Sequence, residues 1–216
     1  MAPKPSGADG VGLKTAILIS GRGSNMAALI AAAKTPGFPA EIVLVLSNVA
    51  DAPGLATAGE AGIATTAIDH KAFANRDTFD AAMTARLEES GAEFICLAGF
   101  MRILSDGFVA HWQGRMINIH PSLLPAYRGL DTHQRALDAG ETEAGCTVHF
   151  VTPGLDEGPA ILQATVPVLP GDTADALAAR VLEQEHRIYP EALRLAAEGR
   201  VHMENGRTVL DGTPVT

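Results

Sequence analysis

Long apolar runs and clusters of basic residues are both absent from this sequence of 216 residues. No segment approaches the roughly 20 apolar residues of a membrane-spanning helix, and the first dozen residues lack the apolar stretch of a signal peptide. Acidic side chains outnumber basic ones by 25 to 16. A membrane or a nucleic acid is therefore disfavoured as a partner. We expect a cytoplasmic protein that acts on small molecules.

Cysteine is scarce as well. Cys96 and Cys146 each lie in an apolar, strand-like run, and neither belongs to a Cys-x-x-Cys pair. The sequence also lacks His-Glu-x-x-His and similar ligand spacings. We therefore expect two reduced cysteines in the core and no metal.

The sequence contains instead a regular alternation of short apolar strands with helices. Strands are predicted at 14–20, 41–48, 64–68 and 93–100, and the helices between them include 25–34 and 76–90. Strands that are apolar on both faces and alternate with helices are typical of a parallel sheet covered on both sides. We predict an α/β fold with a doubly wound, mainly parallel sheet and helices on both faces.

The pattern changes after residue 114, where the sheet is expected to become mixed. Strands at 116–120, 146–151 and 160–168 follow one another with only a short helix near 132–139, and a long helix at 173–198 precedes a strand–turn–strand segment. No linker divides the chain. We predict a flexible tail at 1–13 and a single domain at 14–216 with one continuous sheet.

A glycine-rich loop, "SGRGSNM" at 20–26, joins the first strand to the first helix. Met26 stands where a dinucleotide fingerprint would have glycine, and the Gly-Lys-Ser/Thr of a P-loop is missing. Ser24 and Asn25 can cap the helix and add donors beside its N–H groups. We predict a site for a single phosphate group. The alternative is a tight turn with an ordinary cap.

The segment "INIHPSLLPAYRG" at 117–129 places Asn118 and His120 on one face of a strand, about 7 Å apart. The prolines then force the chain out of the sheet, so both side chains should lie at the rim where such sheets bind ligands. An amide can stabilise an oxyanion, and an imidazole can give and take a proton. This pair suits acyl transfer to an amine. The alternative is a core histidine bonded to the backbone.

Other parts of a covalent acyl-transfer site are missing, because the chain has no Gly-x-Ser-x-Gly elbow and no reactive-looking cysteine. Direct attack by a substrate nucleophile is therefore favoured. Asp156 or Glu157, in a Gly- and Pro-rich loop, could stabilise the protonated form of His120, and the sequence does not separate the two carboxylates. Glu185 interrupts the apolar stripe of the last helix, where it either extends to solvent or binds a hydroxyl or amine.

Five segments together resemble the folate-dependent formyltransferases, and among them those that formylate 5-phosphoribosylglycinamide. They are "SGRGSN", "LAGFMRIL", "NIHPSLLPAYRG", "VHFVTPGLDEGPAILQ" and "QEHRIYPEAL", and the resemblance runs from about 15 to 211. It implies transfer of the formyl group of 10-formyltetrahydrofolate, as cosubstrate, to the substrate amine in purine biosynthesis. It also implies a phosphate-binding, Rossmann-like half at 14–112 and a catalytic and folate-binding half at 113–216.

The resemblance assigns roles by position. It implies that Asn118, His120 and Asp156 are catalytic, which favours Asp156 over Glu157. The residues implied to bind the ribonucleotide are Gly23, Ser24, Asn25 and Glu185. The residues implied to bind the folate are Arg76, Met101, Arg102, Ile103, Leu104, Asn118, Thr152 and Asp156.

Two other functions are considered beside this one. A formyltetrahydrofolate hydrolase, or a formyltransferase for another amine, would share the same strand end. A non-catalytic sensor of phosphate ligands would have no use for His120 and Asp156 beside a donor pocket. The sequence leaves open whether the protein is a monomer or a homodimer, and what Arg22 and Leu182 contribute.

Overall fold

The structure, a computed structural model, describes residues 12–215. The predicted flexible tail therefore falls almost wholly outside the described residues. The first strand begins at Leu13, one residue before the predicted start of the domain. None of the helices in the described part of the chain is long and apolar enough to cross a bilayer.

Strands and helices alternate along most of the chain. The strands are β1 (Leu13–Ile19), β2 (Ala40–Ser47), β3 (Thr65–Ala67), β4 (Phe94–Leu97), β5 (Met116–His120), β6 (Glu143–Phe150), β7 (Ala160–Pro167), β8 (Val201–Glu204), β9 (Arg207–Leu210) and β10 (Thr213–Pro214). The helices are α1 (Ser24–Ala33), α2 (Pro53–Glu60), α3 (Arg76–Glu89), α4 (Asp106–His111), α5 (Thr132–Asp138) and α6 (Ala174–Ala197), with a 3-10 turn at His70–Ala72.

Seven strands form one sheet in the order β3-β2-β1-β4-β5-β6-β7. Strands β1 to β5 are parallel, whereas β6 is antiparallel to β5 and β7 to β6. The predicted α/β fold with a mainly parallel sheet that becomes mixed is confirmed. The strand order reverses between β1 and β4, and sheets of this kind bind ligands where the order reverses.

The apolar strands fill a core on each face of this sheet. Ile17 and Ile19 of β1 belong to the core covered by α1 and α6, whereas Ala16 and Leu18 belong to the core covered by α3 and α4. Successive strand side chains point to opposite faces, so a strand between two helical layers has to be apolar at nearly every position. This is why the sequence shows continuous apolar runs.

The C-terminal strands contradict one prediction. We expected one continuous sheet, but β8, β9 and β10 form a separate three-stranded antiparallel sheet. Asn205 and Gly206 both have positive φ, at 49° and 75°, which builds a tight turn between β8 and β9. A hairpin that pairs with itself needs no place in the main sheet. The sequence pattern alone could not reveal this.

Candidate active site

Most of the predicted site residues lie on the segments where β1, β4 and β5 end. The segments that leave β1 and β4 are joined at the reversal of strand order. The Ser20 N–H donates to the Gly99 carbonyl over 3.1 Å, and the Met101 N–H donates to the Ser20 hydroxyl over 2.7 Å. The glycine loop after β1 and the segment after β4 therefore form adjacent walls of one rim.

His120 is the last residue of β5 and is 6% exposed. Its Nδ1 lies 3.4 Å from Asp156 Oδ2, and its Nε2 lies 3.0 Å from the Tyr127 carbonyl oxygen. Both ring nitrogens therefore face oxygen acceptors, one from a carboxylate and one from the backbone. The imidazole is oriented by polar partners and is not enclosed by aliphatic groups alone.

The loop between β6 and β7 brings Asp156 to His120 by folding back along the sheet. Phe150, at the end of β6, pairs with Ile117 near the start of β5, so the loop leaves β6 at the end of β5 remote from His120. Asp156 has a positive φ of 50° and accepts a hydrogen bond from the Gly129 N–H over 2.9 Å. This bond and the contact with His120 hold the carboxylate over the end of β5.

Glu157 has a different environment from Asp156. Its carboxylate binds Arg128 Nη1 over 2.6 Å at the surface, where the Glu157 side chain is 54% exposed. The side chain of Asp156, in contrast, is 10% exposed. Of the two carboxylates, Asp156, which the family resemblance favours, contacts His120, whereas Glu157 pairs with Arg128.

Asn118 contacts His149, which the sequence did not indicate as a site residue. Its Nδ2 lies 3.1 Å from His149 Nε2, and His149 Nδ1 lies 2.9 Å from the Phe150 carbonyl oxygen. His149 Nε2 is also 3.8 Å from Asp156 Oδ1. The only signal in the sequence was a histidine inside an apolar strand, "CTVHFV", which does not identify its partner.

The glycine loop ends in a helix whose first turn has no side-chain cap. Helix α1 begins at Ser24, and its N-cap is Gly23 in the left-handed region, with φ of 71°. The expectation that Ser24 and Asn25 cap this helix is therefore wrong, because both already belong to its first turn. The N–H groups of that turn are left for an anionic group, and no acidic side chain lies in the turn.

Glu185 of α6 meets Asn25 across the core. Asn25 Nδ2 donates to Glu185 Oε2 over 2.6 Å, and the carboxylate is 7% exposed, so the alternative that it extends to solvent is wrong. Burial raises the pKa of the Glu185 carboxyl, while the Asn25 hydrogen bond and the charges of His186 and His120 oppose that rise.

The residues expected to bind folate form a partly apolar rim. Met101 and Ile103, just after β4, are 68% and 62% exposed, which is unusual for side chains of this size. Arg102 is exposed and Leu104 is half-buried. An exposed apolar surface beside polar groups is typical of a ligand-binding site.

Two further residues of the expected folate set, Arg76 and Thr152, lie outside the two segments that form the walls of this rim. Arg76 is exposed at the start of α3, one helical turn before Asp80, whose carboxylate accepts a hydrogen bond from the Ser105 N–H over 2.6 Å. Arg76 therefore lies beside the segment after β4. Thr152 lies in the β6–β7 loop, two residues after β6 ends and so near the start of β5, and among the described residues its side chain makes no hydrogen bond to another member of the folate set.

A family model described as formyl transferase matches residues 13–193. The chain belongs to the formyl transferase family. The matched range contains both walls of the rim, the end of β5 and Glu185. It therefore includes every residue that the sequence assigned to the site.

Individual members of the formyl transferase family are close relatives. The chain is 50% identical over 196 residues to the phosphoribosylglycinamide formyltransferase of Escherichia coli (strain K12), covering 91% of this chain and 92% of that one. It is 52% identical over 195 residues to the trifunctional purine biosynthetic protein adenosine-3 of Bos taurus, covering 90% of this chain. The chain spans 19% of the length of that bovine protein.

A solved structure shares the fold throughout. The phosphoribosylglycinamide formyltransferase of Coxiella burnetii superposes with a TM-score of 0.91 at 48% sequence identity, covering 95% of this chain and 96% of that chain. The predicted membership of the folate-dependent formyltransferases is confirmed at the level of the family. The roles of individual residues stay predictions.

Proposed function

We propose that this protein transfers the formyl group of 10-formyltetrahydrofolate to the amine of 5-phosphoribosylglycinamide. The observation that carries the proposal is the contact between His120 and Asp156 at the end of β5, within a rim that also contains the uncapped start of α1. The names of the Escherichia coli and Coxiella burnetii proteins described above, which this chain covers almost completely, support the choice of substrate. The resemblance noted in the sequence supports the choice of donor.

The chemistry is direct attack of the substrate amine on the formyl carbon. The new C–N bond gives a tetrahedral intermediate whose oxyanion accepts a hydrogen bond from the Asn118 amide. The C–N bond to the folate then breaks as protonated His120 delivers a proton to the folate nitrogen, and the proton that the attacking amine releases restores the protonated imidazole. Asp156 holds the imidazole in place. No covalent enzyme intermediate is needed, consistent with two cysteines buried in the core.

Substrate binding divides between two walls of the rim. Gly23, Ser24 and Asn25 would offer backbone N–H groups, and Ser24 its exposed hydroxyl, to the ribonucleotide phosphate. The Glu185 carboxylate would accept a hydrogen bond from a ribose hydroxyl or from the glycine amine. The exposed Met101 and Ile103 would pack against the folate rings, and the loop at 152–156 would close over them.

The test of this proposal compares the wild type with His120→Ala in formyl transfer. We expect turnover in the variant to fall by about 10²- to 10⁴-fold, because proton transfer in the transition state is lost. Binding of the ribonucleotide, followed by calorimetry, should change little, since the phosphate site lies on α1. Unchanged turnover in His120→Ala would refute the mechanism.

The same assay, run with donor alone, separates transfer from hydrolysis. Dependence of folate product on the amine supports the transferase, whereas formate release without the amine would identify a formyltetrahydrofolate hydrolase. A protein that bound the ribonucleotide and turned over neither substrate would be a sensor. We also expect the protein to act in the cytoplasm. We expect it to be a monomer or a homodimer, and size-exclusion chromatography with light scattering would distinguish the two.

A further inference from the structure

His149 lies directly opposite Asn118 in the antiparallel pairing of β5 and β6. Residues paired in this way project their side chains to the same face of the sheet, the face that also carries His120. His149 is 2% exposed, and its ring is held at both nitrogens. The mechanism proposed above gives it no role.

The hydrogen bonds of His149 determine where its proton lies. Nδ1 faces the Phe150 carbonyl oxygen at 2.9 Å, and a carbonyl can only accept, so Nδ1 carries the hydrogen. Burial lowers the pKa of His149 and so favours the neutral ring, and the charge of His120 acts in the same direction. The hydrogen bond to the Phe150 backbone and the charge of Asp156 raise the pKa, but burial is the largest effect. In a neutral ring protonated at Nδ1, Nε2 is an acceptor.

That acceptor fixes which end of the Asn118 amide faces His149. With Nδ2 at 3.1 Å from Nε2, the amide donates one of its two N–H groups to the ring. If the amide were turned over, Oδ1 would face Nε2, and the lone pairs of these two acceptors would repel each other. The amide is therefore held with its second N–H group available. Of the two ends of the amide, only the N–H end can donate a hydrogen bond to a developing oxyanion.

The same proton position also affects Asp156. His149 Nε2 lies 3.8 Å from Asp156 Oδ1, beyond hydrogen-bond distance, while Asp156 Oδ2 is 3.4 Å from His120. A hydrogen on His149 Nε2 would attract Asp156 away from His120 and would repel the N–H group of Asn118. The protonation of His149 Nε2 thus affects both Asn118 and Asp156, two of the three residues assigned to the chemistry.

We propose that His149 is a positioning residue, whose unprotonated Nε2 holds the Asn118 amide in the orientation that donates to the reacting oxygen. This inference rests on the proposed function for its effect on rate. Its structural part, the protonation pattern of His149 and the bond to Asn118, is testable without any turnover.

The first experiment reads the protonation pattern directly by ¹⁵N NMR of the full-length protein with labelled histidine. We expect the His149 signals of a neutral ring, with Nδ1 protonated and Nε2 unprotonated, across about pH 6 to 8. Asn118→Ala removes the donor to Nε2, so the Nε2 signal should shift toward that of an unprotonated nitrogen that accepts no hydrogen bond. A ring protonated at Nε2, in either the neutral or the charged form, would overturn the proposal.

The second experiment compares His149→Gln with His149→Met. Glutamine can place an oxygen acceptor near the position of Nε2, whereas methionine fills similar space without one. We expect kcat to fall by about a hundredfold in His149→Met, to fall less in His149→Gln, and KM to change little in either. In an Asn118→Ala background, neither change should lower kcat further, because the amide to be oriented is gone.

Two kinetic results would overturn the proposal. One is an equal loss of kcat in the two His149 variants, and the other is a further loss of kcat in the Asn118→Ala background. If His149→Met fails to fold, the NMR result and His149→Gln decide the question. If the wild type forms no formylated product, the proposed function fails, and the NMR experiment still decides the role of Nε2.

Discussion

Gly158, two residues after Asp156, passes close to the backbone of β6. A Cβ added at this position would lie 1.7 Å from the Phe150 carbonyl oxygen and 3.3 Å from His149 Nδ1. Real Cβ atoms essentially never come within 3.0 Å of such a neighbour. The substitution Gly158→Ala therefore forces a displacement of about 1.3 Å, the difference between 1.7 and 3.0 Å. The displacement must be absorbed by the loop that carries Asp156, or by the end of β6.

A displacement of this size has consequences for rate and for stability. Misplacing a catalytic group by about 1 Å can cost on the order of a hundredfold in rate, so we expect kcat for formyl transfer to fall by about that factor. Overpacking typically costs about 1–3 kcal/mol, so Tm should fall by on the order of 5 °C in a chain of this length. KM for the ribonucleotide should change little, because the phosphate site lies on α1.

The assay is steady-state formyl transfer together with thermal unfolding of the same preparations. Gly59→Ala in α2 is the matched control, because nothing lies within 4 Å of a Cβ at that position. It should retain the wild-type kcat and be equally stable or slightly more stable, since alanine favours a helix by up to about 1 kcal/mol over glycine. A Gly158→Ala protein with the kcat and Tm of the wild type would refute the idea that this close approach places Asp156.

Three further predictions follow from the burial and contacts of single side chains. Burial raises the pKa of the Glu185 carboxyl above its ordinary value of 4.5, so the folded state keeps this proton to higher pH than the unfolded chain does. The free energy of unfolding of the wild type therefore falls as the pH rises from about 4.5. In denaturant titrations, Glu185→Gln should therefore gain stability relative to the wild type between about pH 4 and pH 8, and a difference that is constant with pH would contradict this. Asp156→Asn should lower kcat by about a hundredfold or more, whereas Glu157→Gln, which changes an exposed ion pair, should keep kcat within about twofold; equal losses in the two variants would show that contact with the imidazole is not what matters. Burial raises the pKa of the Cys146 thiol to about 12, and burial also raises the pKa of Cys96, so neither thiol should react with a disulfide reagent until guanidinium unfolds the chain, and rapid reaction of the native protein would disprove this.

The strands and helices of the main sheet were predictable because the core imposes a local pattern. The run "KTAILIS" is apolar at nearly every position, which a strand between two helical layers requires, and β1 follows it closely. In contrast, the six-residue helix α4 was not predicted, because so short a segment carries little periodic signal. The separate C-terminal sheet was missed because a strand pattern does not identify the partner of a strand.

The candidate site likewise has features that the sequence predicted and features that it did not. The sequence by itself placed Asn118 and His120 on one face at the end of a strand, because alternation along a strand and the breaking effect of proline are local properties. It also indicated the glycine loop at the start of a helix. It did not show that Gly23 is the N-cap, which depends on a backbone angle.

Only the tertiary structure paired His149 with Asn118, buried Glu185 against Asn25, and brought Asp156, which the family resemblance had favoured over Glu157, into contact with His120. Asn25 and Glu185 are separated by 160 positions along the chain. The register of β5 with β6, the path of the loop after β6 and the packing of α6 on α1 set these contacts. Such arrangements result from the folding of the whole chain, because the groups that meet carry no local sign of their partners. The local sequence determined which chemical groups reach the rim, and the global fold determined which of them touch.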